Sequence, residues 1–316
     1  MIDAKTQKKS REERMEEFLE YHLRGDGEAN GIILKEFADR NKYNDVERFD
    51  LAYFYSITYC ILSAIYLLKR KTDIVADPAQ FAGETKKKII FQSDRRYVRT
   101  GDNYRKMLEY YSLSINGVQM DLIDAMRTGG KFTLPRIEAI VKEWYFFGRF
   151  STYLFAETLG RLFGHGLGTN KFDWNQGDTA TSGMLNLMTF DRSADYFDRT
   201  GKLPKGINTQ QLDVAMKILE QKITARGGTP ITAEIETSLC AYRKFYKGSR
   251  YNGYYLDRIL EEILWYKNEP FLRTEVEELL QIRKEKFAEK YLGEIGGWTG
   301  IRKNLKTLYK ETGKVT

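Results

Sequence analysis

The chain has 316 residues, 42% of them hydrophobic, which is enough to bury a sizeable core and excludes disorder along its whole length. Two cysteines, Cys60 and Cys240, and two histidines argue against a disulfide framework, a His-rich zinc centre or a Ser-His-Asp triad, and fit a reducing compartment. Fifty-one Lys and Arg against 44 Asp and Glu leave a net charge of +7, a modest excess that favours phosphates only if it gathers on one face.

Residues 1–24 read as a charged helix or arm, with no apolar run of the kind that heads a secretory signal, ended by the turn Gly25-Asp26-Gly27. Leu51 to Leu68 is uncharged and reaches the lower edge of membrane-spanning length. Its content of Tyr53, Tyr55, Ser56, Thr58, Tyr59, Ser63 and Tyr66 suits a protein interior better than lipid, so a buried helix is predicted over about 47–70. A polar stretch then leads to Ile89-Ile90-Phe91 and a basic loop, Arg95 to Arg99, entering a helix over 102–114.

Thr133 and Pro135 form a helix start, and Ile137, Ile140, Val141, Trp144 and Phe147 recur at spacings of three and four. The stripe continues to Leu162, so Gly148 marks a kink or a close backbone approach between two helical pieces. From Gly164 to Gly183 the periodicity lapses into a long loop rich in Gly, Thr, Asn and Asp, and long loops in compact proteins are often functional. Helices follow over 209–225, 232–246, around the stripe Leu256, Ile259, Leu260, Ile263 and Leu264, and over 271–292. Strand signals are few and the five prolines fall between the periodic segments. The predicted fold is mainly α: one large helical domain over 25–295 with an aromatic-rich core drawn from 21 Tyr and 18 Phe, and a basic tail over 296–316.

Familiar nucleotide motifs fail. Gly164-His165-Gly166-Leu167-Gly168 follows a helix where a dinucleotide fingerprint needs a strand, and Gly296-Gly297-Trp298-Thr299-Gly300 lacks the ending of a phosphate loop. Carboxylates, Tyr, Ser, Lys and Arg are left to do any chemistry, and three clusters gather them. In the first, Arg149, Tyr153 and Glu157 lie at i, i+4 and i+8 on one helix face beside Gly148; they bring together a phosphate-binding cation, a phenol and a carboxylate, or else an Arg-Glu pair that anchors a helix. The second, Phe172 to Leu185, holds Asp173, Trp174, Asp178 and Ser182 between glycines, material for a general base, base stacking and backbone donors, or for ordinary helix capping. The third, Tyr242 to Arg258, interleaves Arg243, Lys244, Arg250, Tyr251 and Arg258 with further tyrosines, as a groove for a phosphate backbone and exposed bases would, or as a solvated basic turn.

In this order and at these separations, the three clusters resemble the amino acid:DNA transferases of bacteriophage thymidine-hypermodification systems. The Tyr-rich apolar helix near Asp50 is also similar, so the resemblance spans about 50–265. It implies a helical enzyme, distantly like the helical DNA glycosylases, at work in the cytoplasm of an infected bacterium. Its partners would be DNA carrying pyrophosphorylated hydroxymethyluracil and a free amino acid, and no membrane. The amino acid replaces pyrophosphate and is attached through its amine, with no cofactor required; the sequence does not say whether a divalent ion assists. On this reading Asp178 or Asp173 is the base, and Glu157 orients or substitutes for it. Arg149 holds phosphate or the amino-acid carboxylate, and Tyr153, Trp174, Ser182 and Tyr251 meet the base or substrate. Arg243, Lys244, Arg250 and Arg258 meet DNA or pyrophosphate. The alternatives are a glycosylase-like or base-pyrophosphorylase enzyme of the same pathway and a non-catalytic nucleic-acid-binding or structural phage protein.

Overall fold

Local sequence accounts for where several helices begin. Asn44 and Asn208 each head a reciprocal capping box: the Asn side chain accepts from the backbone N–H three residues on, and Glu47 or Gln211 accepts from the Asn N–H. Asp77 accepts from the Gln80 N–H, and Pro78 fills the first helical position after it.

In the computed structural model these signals yield a mainly α protein. The structure describes residues 10–287 apart from 24, 26–28, 93–97, 165–166, 168–173, 175–177, 190 and 248–252. In chain order the helices are α1 (Arg11–Leu23), α2 (Ala29–Arg40), α3 (Asp45–Thr58), α4 (Ile61–Lys69), α5 (Lys71–Ala76), α6 (Pro78–Thr85), α7 (Asn103–Tyr110) and α8 (Gln119–Ala125). They continue as α9 (Leu134–Val141), α10 (Arg149–Leu162), α11 (Asp178–Met188), α12 (Asp191–Thr200), α13 (Thr209–Ala225), α14 (Thr232–Tyr246), α15 (Tyr254–Tyr266) and α16 (Arg273–Lys286). Among the described residues the one sheet is a hairpin, β1 (Arg127–Thr128) against β2 (Lys131–Phe132), turned by Gly129 and Gly130, both at positive φ.

The sequence predicts one body, whereas the chain divides into two compact units. Unit 1 draws on Met1–Ala29, Thr169–Asp257 and Phe287–Thr316, and unit 2 on Asn30–Gly168 and Arg258–Lys286.

In unit 2 the predicted buried helix over 47–70 is two helices, because Tyr59 turns left-handed (φ 52°) and ends α3 before α4 begins. Every residue from Phe49 to Thr58 is buried. Ser56 and Thr58 donate to the carbonyls of Ala52 and Phe54, so these two hydroxyls are satisfied within their own helix. No helix among the described residues is long and apolar enough to cross a membrane. The aromatic core centres on Tyr53, whose ring lies 5.2 Å from Tyr111, 5.3 Å from Phe147 and 5.6 Å from Trp144, while its hydroxyl donates to the Met107 carbonyl. The predicted helix over 102–114 appears as α7 followed by a π-helical turn, Tyr111–Ile115.

The apolar stripe running from Ile137 to Leu162 does not form one kinked helix. α9 stops at Val141, Phe146 adopts φ 62°, and Gly148 serves as the N-cap of α10. A Cβ on Gly148 would meet nothing within 4 Å, so no close backbone approach explains this glycine. Trp144 and Phe147 still reach the core from the intervening turns.

Unit 1 packs α1, α11, α12, α13 and α14 around Phe18, Leu19, Met184, Leu185, Leu219, Leu239 and Tyr242. The charged N-terminal stretch is therefore helical over Arg11–Leu23, with one face in the core. The segment read as a loop up to Gly183 is, from Asp178 onward, the first two turns of α11. Gly183 is required there: a Cβ would stand 2.4 Å from the Leu239 carbonyl oxygen of α14. α13 and α14 have the predicted bounds, whereas the predicted helix over 271–292 becomes a 3-10 turn, Pro270–Leu272, leading into α16. The tail over 296–316 lies outside the described residues.

Candidate functional site

The densest group of chemically capable side chains in unit 1 forms where α11, α12 and α14 pack together. α11 carries Asp178, Ser182 and Asn186 at successive four-residue steps, the spacing of one helix face. α12 carries Asp195 and Asp198 one turn apart, α14 carries Arg243, and Lys247 follows directly after the end of α14. The close α11–α14 approach that Gly183 permits brings two of these rows together.

Arg243 is only 2% exposed and commits its donors inside the protein. Its Nε and Nη2 both bond Asp198 Oδ2, at 3.1 and 2.5 Å. Nη2 also bonds Asp195 Oδ1 at 2.5 Å, and Nη1 bonds Asn186 Oδ1 at 3.1 Å. Ser182, itself fully buried, donates its hydroxyl to Asp198 Oδ1, and Lys247 donates to Asp198 Oδ2. Burial works against the charge on Asp198, but the hydrogen bonds from Lys247, Ser182 and Arg243 outweigh it and hold the carboxyl below its usual pKa. Two groups remain open to solvent: the Asp195 side chain, 63% exposed, and the Lys247 ammonium, 44% exposed. The Asn186 amide oxygen accepts from Arg243, while its Nδ2 is buried with no hydrogen-bond partner among the described residues.

Two of the three sequence clusters thus meet, through Ser182 and Arg243, on one carboxylate. The expectation that Arg243 faces DNA or pyrophosphate does not describe this side chain, which holds Asp195 and Asp198 in place. Trp174, expected beside a base, is buried in the core; its indole donates to Asp213 Oδ1 at 2.7 Å and its carbonyl accepts from Thr181. Asp178 is the first residue of α11. Lys244 is half-buried on α14, next to Arg243. Asp173, Arg250 and Tyr251 lie outside the described residues.

The first cluster belongs to unit 2. Arg149 is exposed at the start of α10, Tyr153 is half-buried one turn on, and Glu157 faces Arg161 at 4.0 Å. Arg258, also in unit 2, is half-buried and paired with Glu261 at 2.6 Å. The Arg-Glu pair seen here is Glu157 with Arg161, one turn apart within α10, and not with Arg149.

No family model and no curated protein sequence matches the chain.

Asp195, Asp198 and Asn186 were not found by sequence reasoning. The available signal was the alternation in Asp191 to Thr200, where Ala194 and Phe197 are buried while Asp195 and Asp198 sit immediately beside them. Acids that flank core residues on an amphipathic helix are ordinarily solvated, so local pattern gives them no special weight. Among the described residues no group of His, Cys, Asp and Glu is arranged to hold a metal ion.

Proposed function

We propose that the chain is a DNA-modifying transferase that replaces the pyrophosphate of pyrophosphorylated hydroxymethyluracil with an amino acid joined through its amine. The supporting observation is the convergence of Ser182 and Arg243 on the Asp198 carboxylate, next to an exposed Asp195, an exposed Lys247 and an unspent Asn186 amide. A free amino acid is a zwitterion. Its ammonium is recognised by carboxylate oxygens such as those of Asp195 and Asp198, and its carboxylate by an exposed ammonium such as that of Lys247. Arg243 holds the two aspartates in alignment through its bonds to Asp195 Oδ1 and Asp198 Oδ2.

In the reaction a C–N bond forms between the amine and the exocyclic methylene of the base. The C–O bond to pyrophosphate breaks, and the leaving group departs with the electron pair. The ammonium must first lose a proton, and a carboxylate held below its usual pKa binds an ammonium better than it deprotonates one. The base is therefore assigned to Asp178, one turn before Ser182 on α11, with Asp173 as the companion candidate and Glu157 next. The target base lies inside a duplex, so a flipped or single-stranded substrate is expected. Mutation tests the assignment. Asp178→Asn is expected to abolish transfer while the melting temperature and DNA affinity hold. A lower melting temperature with turnover per folded molecule preserved would make Asp178 a cap only, and activity in both Asp178→Asn and Asp173→Asn would place the base outside this segment.

A further inference from the structure

Unit 2 carries a surface that the transfer chemistry does not use. Trp265 on α15 is 62% exposed, although an indole of that size normally turns inward. It is nonetheless held: its Nε1 donates to the Lys88 carbonyl at 3.4 Å, and the neighbouring Tyr266 hydroxyl donates to the same carbonyl at 3.0 Å. Tyr266 also meets Ser63 Oγ at 2.8 Å, and Ile89 is buried beside this strip. The Lys88 carbonyl is thereby fastened to the C-terminal end of α15. Lys86 is tied to the Gly101 carbonyl, while Lys87 and Lys88 are exposed and form no ion pair among the described residues. Lys267, exposed, follows directly after α15. Among the described residues no ring or cation covers the Trp265 indole.

The geometry points to a platform for single-stranded nucleic acid, in which one base stacks on Trp265 while Lys87, Lys88 and Lys267 meet the flanking phosphates. A ring fastened at its edge by an N–H bond keeps its faces for stacking and loses little freedom when a base arrives. The cations beside it supply the sequence-independent, salt-dependent attraction that a phosphate backbone requires. An anionic membrane would also attract lysines, but insertion needs a contiguous apolar face, and the segment bonded to Trp265 carries the exposed Lys87 and Lys88. The platform deepens the functional reading above and rests on it only for the choice of DNA as the polyanion.

The test is fluorescence anisotropy of a labelled oligothymidylate with the full chain, over a range of salt concentrations. Trp265→Ala is expected to weaken binding by about 5- to 100-fold, as loss of one stacked base does, while Trp265→Phe retains most of the affinity. Lys87→Glu with Lys88→Glu is expected to flatten the dependence of affinity on salt by roughly 0.7 per lost phosphate contact. Equal affinity of Trp265→Ala and the parent chain, with circular dichroism unchanged, overturns the platform. So does Trp265-dependent binding to phosphatidylglycerol vesicles with no binding to the oligonucleotide. Transfer to modified bases is read separately by nucleoside mass, so a platform that fails while transfer persists leaves the enzyme standing, and the converse is equally visible.

Discussion

Arg243 shows what a residue type conveys by itself and what it does not. In sequence it is a cation in a basic, tyrosine-rich segment. In the fold it is a buried guanidinium whose partners come from two other helices. Nothing local in the sequence marks Asp195 and Asp198 as those partners, because the pairing exists only once α11, α12 and α14 have packed. Removing the guanidinium leaves the partly buried Asp198 with only Ser182 and Lys247 as donors, and the buried Asn186 oxygen without its donor. Arg243→Leu is therefore expected to cost about 3 kcal/mol, at the lower end for a broken buried pair because Asp198 keeps Lys247 and some solvent; chemical denaturation measures it. A second buried carboxylate behaves differently. Glu262 accepts from the Ile61 N–H and from Gln92 Nε2, both at 2.8 Å, and burial pushes its pKa up to about 7 in spite of these bonds. The unfolded chain ionises this group near pH 4.5, the folded one near 7, so stability is full below the first value and falls as pH rises through the second. Glu262→Gln is expected to remove a fall of about 3 kcal/mol between pH 4.5 and pH 8, seen as a flatter profile of denaturation free energy against pH. An unchanged slope would place the titration elsewhere.

At the scale of the element, periodicity and caps made the helices legible wherever an apolar face was continuous and an Asn or Pro marked the start. α13, with its Asn208 box, and α14 are the clearest cases. Asn208→Ala is expected to lower stability by about 1 kcal/mol through loss of that cap. Breaks that depend on backbone conformation at a residue without a special side chain were not legible. Tyr59 ends α3 in the left-handed region although nothing in the tyrosine announces it, and Phe146 does the same between α9 and α10. α11 was hidden for another reason: its Thr, Ser and Gly content reads as a loop, and only contact with α14 shows why small residues are needed. Gly183→Ala is expected to destabilise by roughly 1–3 kcal/mol because its Cβ would press on the Leu239 carbonyl, whereas Gly148→Ala, in open space, is expected to change stability by no more than about 1 kcal/mol. Thermal denaturation of the two variants side by side makes the comparison; equal effects would contradict the close approach of α11 and α14.

For the whole molecule, composition and pattern were enough for a mainly α fold with an aromatic-rich core, as Tyr53, Tyr111, Trp144 and Phe147 bear out. The division into two units was not legible. Neither unit is one continuous stretch of sequence, so no linker, proline-rich hinge or shift in composition marks where one ends. The same interleaving places Ser182 and Arg243 in unit 1 and Arg149, Tyr153 and Glu157 in unit 2, although all five lie within one ordered series of sequence clusters. Nucleoside mass reads the transfer chemistry itself. The purified chain is incubated with DNA containing pyrophosphorylated hydroxymethyluracil and a mixture of amino acids, and the DNA is then digested to nucleosides. The expected product is a nucleoside in which one amino acid, joined through nitrogen, has replaced pyrophosphate, and it is lost in Asp178→Asn. An abasic site, or a pyrophosphorylated base returned unchanged under conditions where the DNA is bound, would contradict the transferase reading.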